Sequence, residues 1–517
     1  MPLPANNVPW PPTDPTVRTS LADWSAWYSG DPDKLTAQYR GRSVRQPSVR
    51  PSQLRNGVVG RFARWWWGQP TAFGEQRAKL HVPLAADISR ASADLLFSEP
   101  PRITVTDAAT QDRIDQLITG GLHATLLEGA EIGSALGGVY LRVVWDKEVR
   151  PTPWVTAVHA DGAAPEFRYG VLTAVTFWTV IDSDGQKVVR QLERHEPGVI
   201  FHGVYEGTLD NLGRAVPLAE YEQTQPLADL VDSSSAIKTG APKLLTAAYL
   251  PNMRPARAWR DVPAAAYWGA SDYQGVEGLF DALDETYSSW MRDIRLAKGR
   301  ILLSQQYLTS TGPGQGASFD EDREAYAALN IPPTSDQGIT LNQFAIRHLE
   351  HKATIEQLTQ DAIRMAGYST ATFGEPDGSA MTATEVRAKQ ARTLTTRGRK
   401  VLYTTPGLGD ILEALLAVEA GSQFGGTGIT VERPAIEWQD SISESPQDLA
   451  QTATLLDQAH AASTAVRVQL VHPDWDDERV QAETEAILRE NGMGPLADPA
   501  AVGAGGFDLN PPGREAG

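Results

Sequence analysis

Along this chain the apolar residues fall into two patterns. Steps of three and four predict helices, and tight runs or alternations predict strands. Leu84, Ile88, Ala91, Leu95 and Leu96 predict a helix over 83–97, which Pro100-Pro101 stops. Arg102–Thr106 alternates as a strand does, and helices follow near 111–119 and 122–136, the second closed by Gly137-Gly138. Val139–Trp145 reads as a buried strand. Val171–Ile181 and Gln186–Arg194 flank the hairpin turn Asp182-Ser183-Asp184-Gly185, and Glu196-Pro197-Gly198 leads into Val199–Tyr205. Residues 207–240 carry few periodic apolars and read as a long loop. The first 75 residues, rich in Pro, Trp and Arg, read as irregular.

The second half changes character. Val276, Leu279, Phe280, Leu283, Tyr287, Trp290, Met291 and Ile294 form the cleanest amphipathic stripe, on a helix running to about Arg300. Gly312-Pro313-Gly314-Gln315-Gly316 is a break, followed by a short helix at 319–329, a strand at 339–344 and a second long helix over 346–366, ended by Gly367. After the loop 370–381, Thr382-Ala383-Thr384-Glu385 is a capping box that opens a third long helix. Pro406-Gly407 should kink or break that helix near Thr405. A strand is expected at 429–438, then helices at 447–461, 464–471 and 475–491, with Pro446 at the first helical position. Residues 493–517 are Pro, Gly and Ala with few large apolars and read as a disordered tail. No repeat of fixed period is visible.

Composition narrows the chemistry. The 517 residues carry a net charge of −18, and no Cys is present. That excludes disulfides, Cys-based zinc sites, iron–sulfur clusters and thiol nucleophiles. It also disfavours tight wrapping of nucleic acid, which needs neutralised phosphates. The N-terminus lacks a basic-then-apolar signal pattern, and Val171–Ile181 is too short to span a bilayer, so secretion and a membrane role are not expected. Against the acidic background, residues 34–74 contain no acid and hold Lys34, Arg40, Arg42, Arg45, Arg50, Arg55, Arg61 and Arg64 before Trp65-Trp66-Trp67. Arginines on phosphate with stacking tryptophans is one reading. Docking on an acidic face of another subunit or domain is the other, and it suits the net charge better.

No P-loop, G-x-S-x-G elbow or H-E-x-x-H motif occurs, and the glycine-rich break carries Pro and lacks the strand before it that a phosphate cradle needs. His348 and His351 share a helix face without further ligands in view, so a solvated face explains them. The acidic cluster from Asp474 to Glu478 fails the EF-hand pattern and sits where a helix start favours negative charge. Neither ATPase nor nuclease activity is expected. A second basic run, Arg387, Lys389, Arg392, Arg397, Arg399 and Lys400, would spread round most of a helix and could face DNA or a neighbouring subunit's carboxylates.

The order of elements is more specific than any motif: a mixed α/β half, a long helix, a small insert, a second long helix, a Gly-containing loop and a long Pro-interrupted helix. It resembles the portal proteins of tailed bacteriophages, the SPP1-like portal family of siphophages infecting actinobacteria. Local residues carry the likeness: His81-Val82-Pro83-Leu84-Ala85-Ala86-Asp87-Ile88 with Ser92–Pro101; Asp284, Tyr287, Ser288 and Asp293 in the first long helix; Phe373-Gly374; Met381–Val386; and Val471-His472-Pro473-Asp474-Trp475. It spans about residues 75–492.

The resemblance implies an α+β portal fold with a mixed α/β wing, a two-helix stem, a small α/β clip, a long kinked helix and a helical crown. On that plan 1–275 is the N-terminal arm and wing, 276–300 and 346–368 the stem, and 301–345 the clip. Residues 369–381 are a tunnel loop, 382–440 the long helix and a strand returning to the wing, 441–492 the crown and 493–517 a tail. It implies a non-enzymatic homo-oligomeric ring, usually of twelve, at one capsid vertex of the virion, assembled in the host cytoplasm. Double-stranded DNA would pass through it during packaging and ejection. Its partners would be the major capsid protein, with scaffold as a further candidate, the large terminase and a head–tail adaptor. No cofactor, metal or membrane is implied. Thr372, Phe373, Glu375, Asp377 and Ser379 would face DNA. Leu279, Leu283, Tyr287, Trp290, Arg387 and Arg392 would lie between subunits. An acidic, Cys-free hydrolase with a Trp-lined carbohydrate groove is the competing reading.

Overall fold

The computed structural model describes residues 3–42, 79–297, 300–304, 326–329, 339–342, 346–374, 383–421, 424, 428–438, 446–472 and 475–491. The chain divides into two compact units, one of residues 1–377 with 389–441, the other of 378–388 with 442–517.

The first unit begins with helices α1, Pro15–Ser29, and α2, Pro32–Arg42. Over 15–42 the expectation of an irregular N-terminus is corrected, while Arg45 to Trp67 of the basic run lie outside the described residues. Both helices open on Pro, which the first turn tolerates because its N–H has no helical partner. Asp14 caps α1 by accepting from Thr16 N, and Gly30 closes it at φ +63°. Val17, Leu21, Trp24 and Trp27 lie on one buried face. Helix α3, Leu84–Phe97, follows, then strand β1, Arg102–Thr104, and helices α4, Ala108–Leu117, and α5, His123–Leu136.

Two antiparallel sheets form next. Strands β2, Gly138–Val144, and β3, Trp154–His159, pair with each other, and β10, Ala247–Pro251, adds to β2. The larger sheet is a meander of β4, Ala163–Arg168, β5, Val171–Ser183, β6, Val188–Glu196, β7, Val199–Thr208, and β8, Asn211–Val216, with β9, Ala236–Lys238, also on β7. Residues 207–240 are therefore not one loop. Cross-strand pairing with β7 imposes order on a segment whose own apolar pattern is weak.

Helix α6, Glu277–Leu296, and helix α7, His348–Ala366, pack on each other. Between them β11, Arg300–Ser304, pairs parallel with β12, Tyr326–Leu329, and antiparallel with β13, Ile339–Asn342. The described end of the expected helix at 319–329 is thus a strand, because pairing overrides the helix preference of its alanines.

Helix α8 runs from Ala383 to Ala420 without a break at Pro406, which corrects the expected interruption. Pro406 removes one N–H, and the carbonyl that loses its partner belongs to Leu402, which is exposed. On the same exposed face Arg433 donates to the Pro406 carbonyl at 2.9 Å, and on the buried side Leu408, Ile411, Leu412, Leu415, Leu416 and Val418 join a core with Leu141, Val143 and Leu250. Gly407 permits this approach, since a Cβ there would come within 2.9 Å of Leu250 Cδ1. Gln390–Ala420 is long and apolar enough to cross a membrane by composition alone, yet its apolar half fills this core. Of the strand expected at 429–438 only β14, Ala435–Glu437, pairs, with β1. Pro434, lacking an N–H, stands just before it.

In the second unit are α9, Pro446–Gln458, α10, Thr464–Val471, and α11, Asp477–Glu490. Asp476 caps α11 through Arg479 N, which accounts for part of the acidic cluster.

Candidate functional site

The amphipathic stripe of α6 faces the chain's own core. Phe280 and Leu283 are buried with Trp27, Tyr273, Ile355 and Ile363. Leu279, Tyr287 and Trp290 are half-buried against the same core. Leu283, at 2% exposure, is therefore filled from within the chain, whatever its neighbours in an assembly.

The polar face of α6 receives residues 79–82. Lys79 Nζ is 2.8 Å from Asp281 and 3.1 Å from Glu285, and Leu80 N donates to Ser288 Oγ. Asp284, fully buried, accepts from Val82 N at 2.9 Å and from Tyr39 Oη at 2.5 Å, with His81 Nδ1 3.0 Å away. Farther along, Asp293 accepts from Arg347 and meets His351 Nε2 at 3.0 Å, tying α6 to the start of α7. His351 and Arg347 hold its carboxyl below the usual range. Trp290 stacks on His351, so that histidine belongs to a helix–helix contact.

The end of α7 is fastened to α8. Gly367, left-handed at φ +98°, ends α7, and its carbonyl accepts from Thr396 Oγ1 at 2.6 Å. Thr393 Oγ1 accepts from Ser369 N and lies 2.9 Å from Thr372 Oγ1. Phe373 packs on Tyr368. Thr372 and Phe373 thus form a pinned 3-10 turn over 370–373, while Glu375, Asp377 and Ser379 lie outside the described residues.

Behind this turn sits the feature sequence reasoning missed. Lys400, 2% exposed, is buried against Asp272, with Nζ 2.6 Å from Oδ2. The ammonium also donates to Ser92 Oγ and Asn252 Oδ1, both at 2.6 Å. Asp272 accepts in addition from Ser134 Oγ, Tyr368 Oη and Asn252 Nδ2. Burial pushes the Asp272 carboxyl up, but the Lys400 ammonium and the hydroxyls outweigh it and hold the group below the usual carboxylate range. The sequence places Lys400 in a basic run that could face DNA or a neighbouring subunit's carboxylates; it instead neutralises a carboxylate of its own chain. In that run Arg397 donates to the Leu95 carbonyl, Arg392 is exposed, and Arg387 falls in α8 with its side chain outside those described. The lone sequence signal was Lys400 standing on the same side of α8 as the buried Thr393, Thr396 and Thr404.

The phage portal protein family, SPP1 Gp6-like, matches residues 70–494, most of the chain. The chain belongs to that family. No curated protein matches it. The portal family is structural, and the polar clusters fit that role. Asp272 and Lys400 bond to each other and to Ser92, Ser134, Asn252 and Tyr368, which fastens distant segments of the chain together. Among the described residues no three His, Asp or Glu side chains are grouped to hold a metal. The portal reading also displaces the carbohydrate groove: none of the described tryptophans is exposed, and Trp10, Trp24, Trp27, Trp259 and Trp268 are core residues.

Proposed function

We propose that twelve copies of this chain close into a ring at one capsid vertex and form the conduit for double-stranded DNA in packaging and ejection. The match of the portal family over residues 70–494 carries this reading. On it, the ring contacts the major capsid protein, docks the large terminase and later the head–tail adaptor, and assembles in the host cytoplasm before becoming part of the virion. Helices α6 and α7 are its stem, 301–345 its clip and 441–492 its crown. Leu279, Tyr287, Trp290 and the exposed Arg392 border neighbouring subunits.

The loop 369–381 is proposed as the closest approach to DNA. Its support is local: the turn at 370–373 is bonded to α8, and the residues that follow include only acidic charges, Glu375 and Asp377, which repel phosphate. An acidic lining keeps DNA contacts weak enough to slide. Negative-stain imaging with native mass spectrometry tests the ring: closed particles of about a dozen chains are expected, and monomer alone at micromolar concentration would overturn it. Deleting Glu375–Gly378 should leave rings intact and impair packaging. Full-length packaging at the normal rate would reduce the loop to a connector.

A further inference from the structure

The β4–β5 hairpin turns through Arg168-Tyr169-Gly170-Val171. Its two central residues are both left-handed, Tyr169 at φ +52° and Gly170 at φ +86°. That is the arrangement of a type I′ turn, for which Asn-Gly is the least strained pair. A bulky aromatic residue is disfavoured there. Among the described residues only Arg168 lies against its ring, and Tyr169 is 90% exposed and Val171 66% exposed. A strained, solvent-facing aromatic at a rigid tip points to a contact outside the chain.

The tip is held from beneath. A Cβ on Gly170 would stand 3.3 Å from Tyr267 Cε1, and the Tyr267 ring lies 5.5 Å from that of Phe167. Arg254 sits over Tyr267, and Arg168 over Tyr169. The Arg254 carbonyl accepts from Arg399 Nη2 on α8. A continuous basic and aromatic strip therefore runs from the hairpin tip to α8. The partners of Arg168, Arg254 and Arg399 among the described residues are rings and a carbonyl, with no carboxylate. The strip is complementary to an acidic surface.

Strand β5 has 13 residues and spans about 40 Å. At its far end the turns after β5 and β7 lie side by side, because Ser183 pairs with Val188 and Val188 with Gly207. They carry Asp182, Asp184 and Asp210 beside the exposed Val180 and Leu209, while the cations at this end are engaged within the sheet: Lys187 and Arg214 both pair with Glu206, and Arg190 donates to the Thr208 and Leu209 carbonyls. One sheet thus ends in Arg, Tyr and Val at one side, and in Asp, Val and Leu at the other.

We propose that these two ends are the halves of one head-to-tail contact, the Arg168–Tyr169 tip of one subunit meeting the acidic end of the next subunit's sheet. The inference rests on the ring reading. A ring built by rotation needs two different patches that fit each other, one at either side of the subunit. Tyr and Arg are the residues that most often carry interface energy. DNA would satisfy the arginines but gives Val171, Val180 and Leu209 no apolar partner.

The experiment separates folding from contact. Tyr169→Asn installs the preferred turn pair, so the monomer should unfold at the same or a higher temperature. Its assembly, followed by mass photometry, should need at least tenfold more protein. Arg168→Glu and Asp182→Arg should each assemble poorly alone, and an equimolar mixture should recover rings, because every contact then pairs opposite charges. Three variants assembling like wild type would overturn this inference and leave the ring reading standing. A wild type that never assembles would overturn both. Weakened binding of a double-stranded DNA fragment by Arg168→Glu with normal rings would assign the strip to DNA and also overturn the proposal.

Discussion

Asp272 and Asp284 are equally hidden from water, and each joins distant parts of the chain, but they are satisfied in opposite ways. Asp272 faces an ammonium, that of Lys400, plus two hydroxyls and an amide. Asp284 has a phenol, an imidazole and a backbone N–H, and no Lys or Arg among the described residues reaches it. The difference follows from what each carboxylate fastens. Asp284 receives the segment 79–82 on the face of α6, where a peptide N–H is at hand. Asp272 sits where α3, α5, α8 and Tyr368 converge, and helix N–H groups away from the first turn are committed to their own helix. Side chains must therefore supply every donor. Ion-paired burial is the more fragile arrangement, because removing one partner strands a charge.

The largest effect should come from Lys400→Met. It leaves Asp272 buried without its cation and should cost about 3–5 kcal/mol in urea unfolding. Adding Asp272→Leu should return at least half of that loss. A single variant no weaker than wild type would erase the contrast between the two sites.

The pH dependence sharpens it. In wild type the Asp272 carboxyl is held low, so its contribution is complete above the ordinary carboxylate range, about pH 4, and is lost as pH falls through the lowered folded value. In Lys400→Met the ammonium is gone and burial, the largest influence, is opposed only by the Ser134 and Tyr368 hydroxyls, so the folded value rises. Stability should then be greatest below about pH 4 and decline as pH rises. Thermal melts across pH 3–8 would read these opposite slopes.

Asp284→Asn should cost less, about 1–3 kcal/mol, since an amide oxygen still accepts from Val82 N while its NH₂ meets groups that had been donating. Tyr39→Phe should be smaller still, about 1 kcal/mol, because His81 and Val82 continue to serve the carboxylate. Chemical denaturation of both variants tests the ranking, and a Tyr39→Phe loss exceeding that of Lys400→Met would invert it.

Much of the architecture was legible because it is periodic. The stripe from Val276 to Ile294, the end of α7 at Gly367 and the hairpin at 182–185 all follow from local spacing and turn chemistry. Asp284, Ser288 and Asp293 stood out only within family-like stretches; each proves to anchor a neighbouring segment. The N-terminal helices were obscured by the Pro-rich composition of the first 75 residues, although Pro15 and Pro32 each start a helix. With that removed, Val17, Leu21, Trp24 and Trp27 show the helical period.

The sequence by itself determined where the long helices lie, that no thiol chemistry is possible, and which family the order of elements resembles. These depend on neighbours within a few turns of chain, or on composition alone. Only the tertiary structure decided that α8 runs through Pro406, that 211–216 pairs as a strand, and that Lys400 is buried rather than presented outward. Each depends on a partner far along the chain: Arg433 for Pro406, β7 for β8, and Asp272, 128 residues away, for Lys400. A charge's spacing along a helix says which face it shares; what waits opposite that face is settled only when the chain has folded.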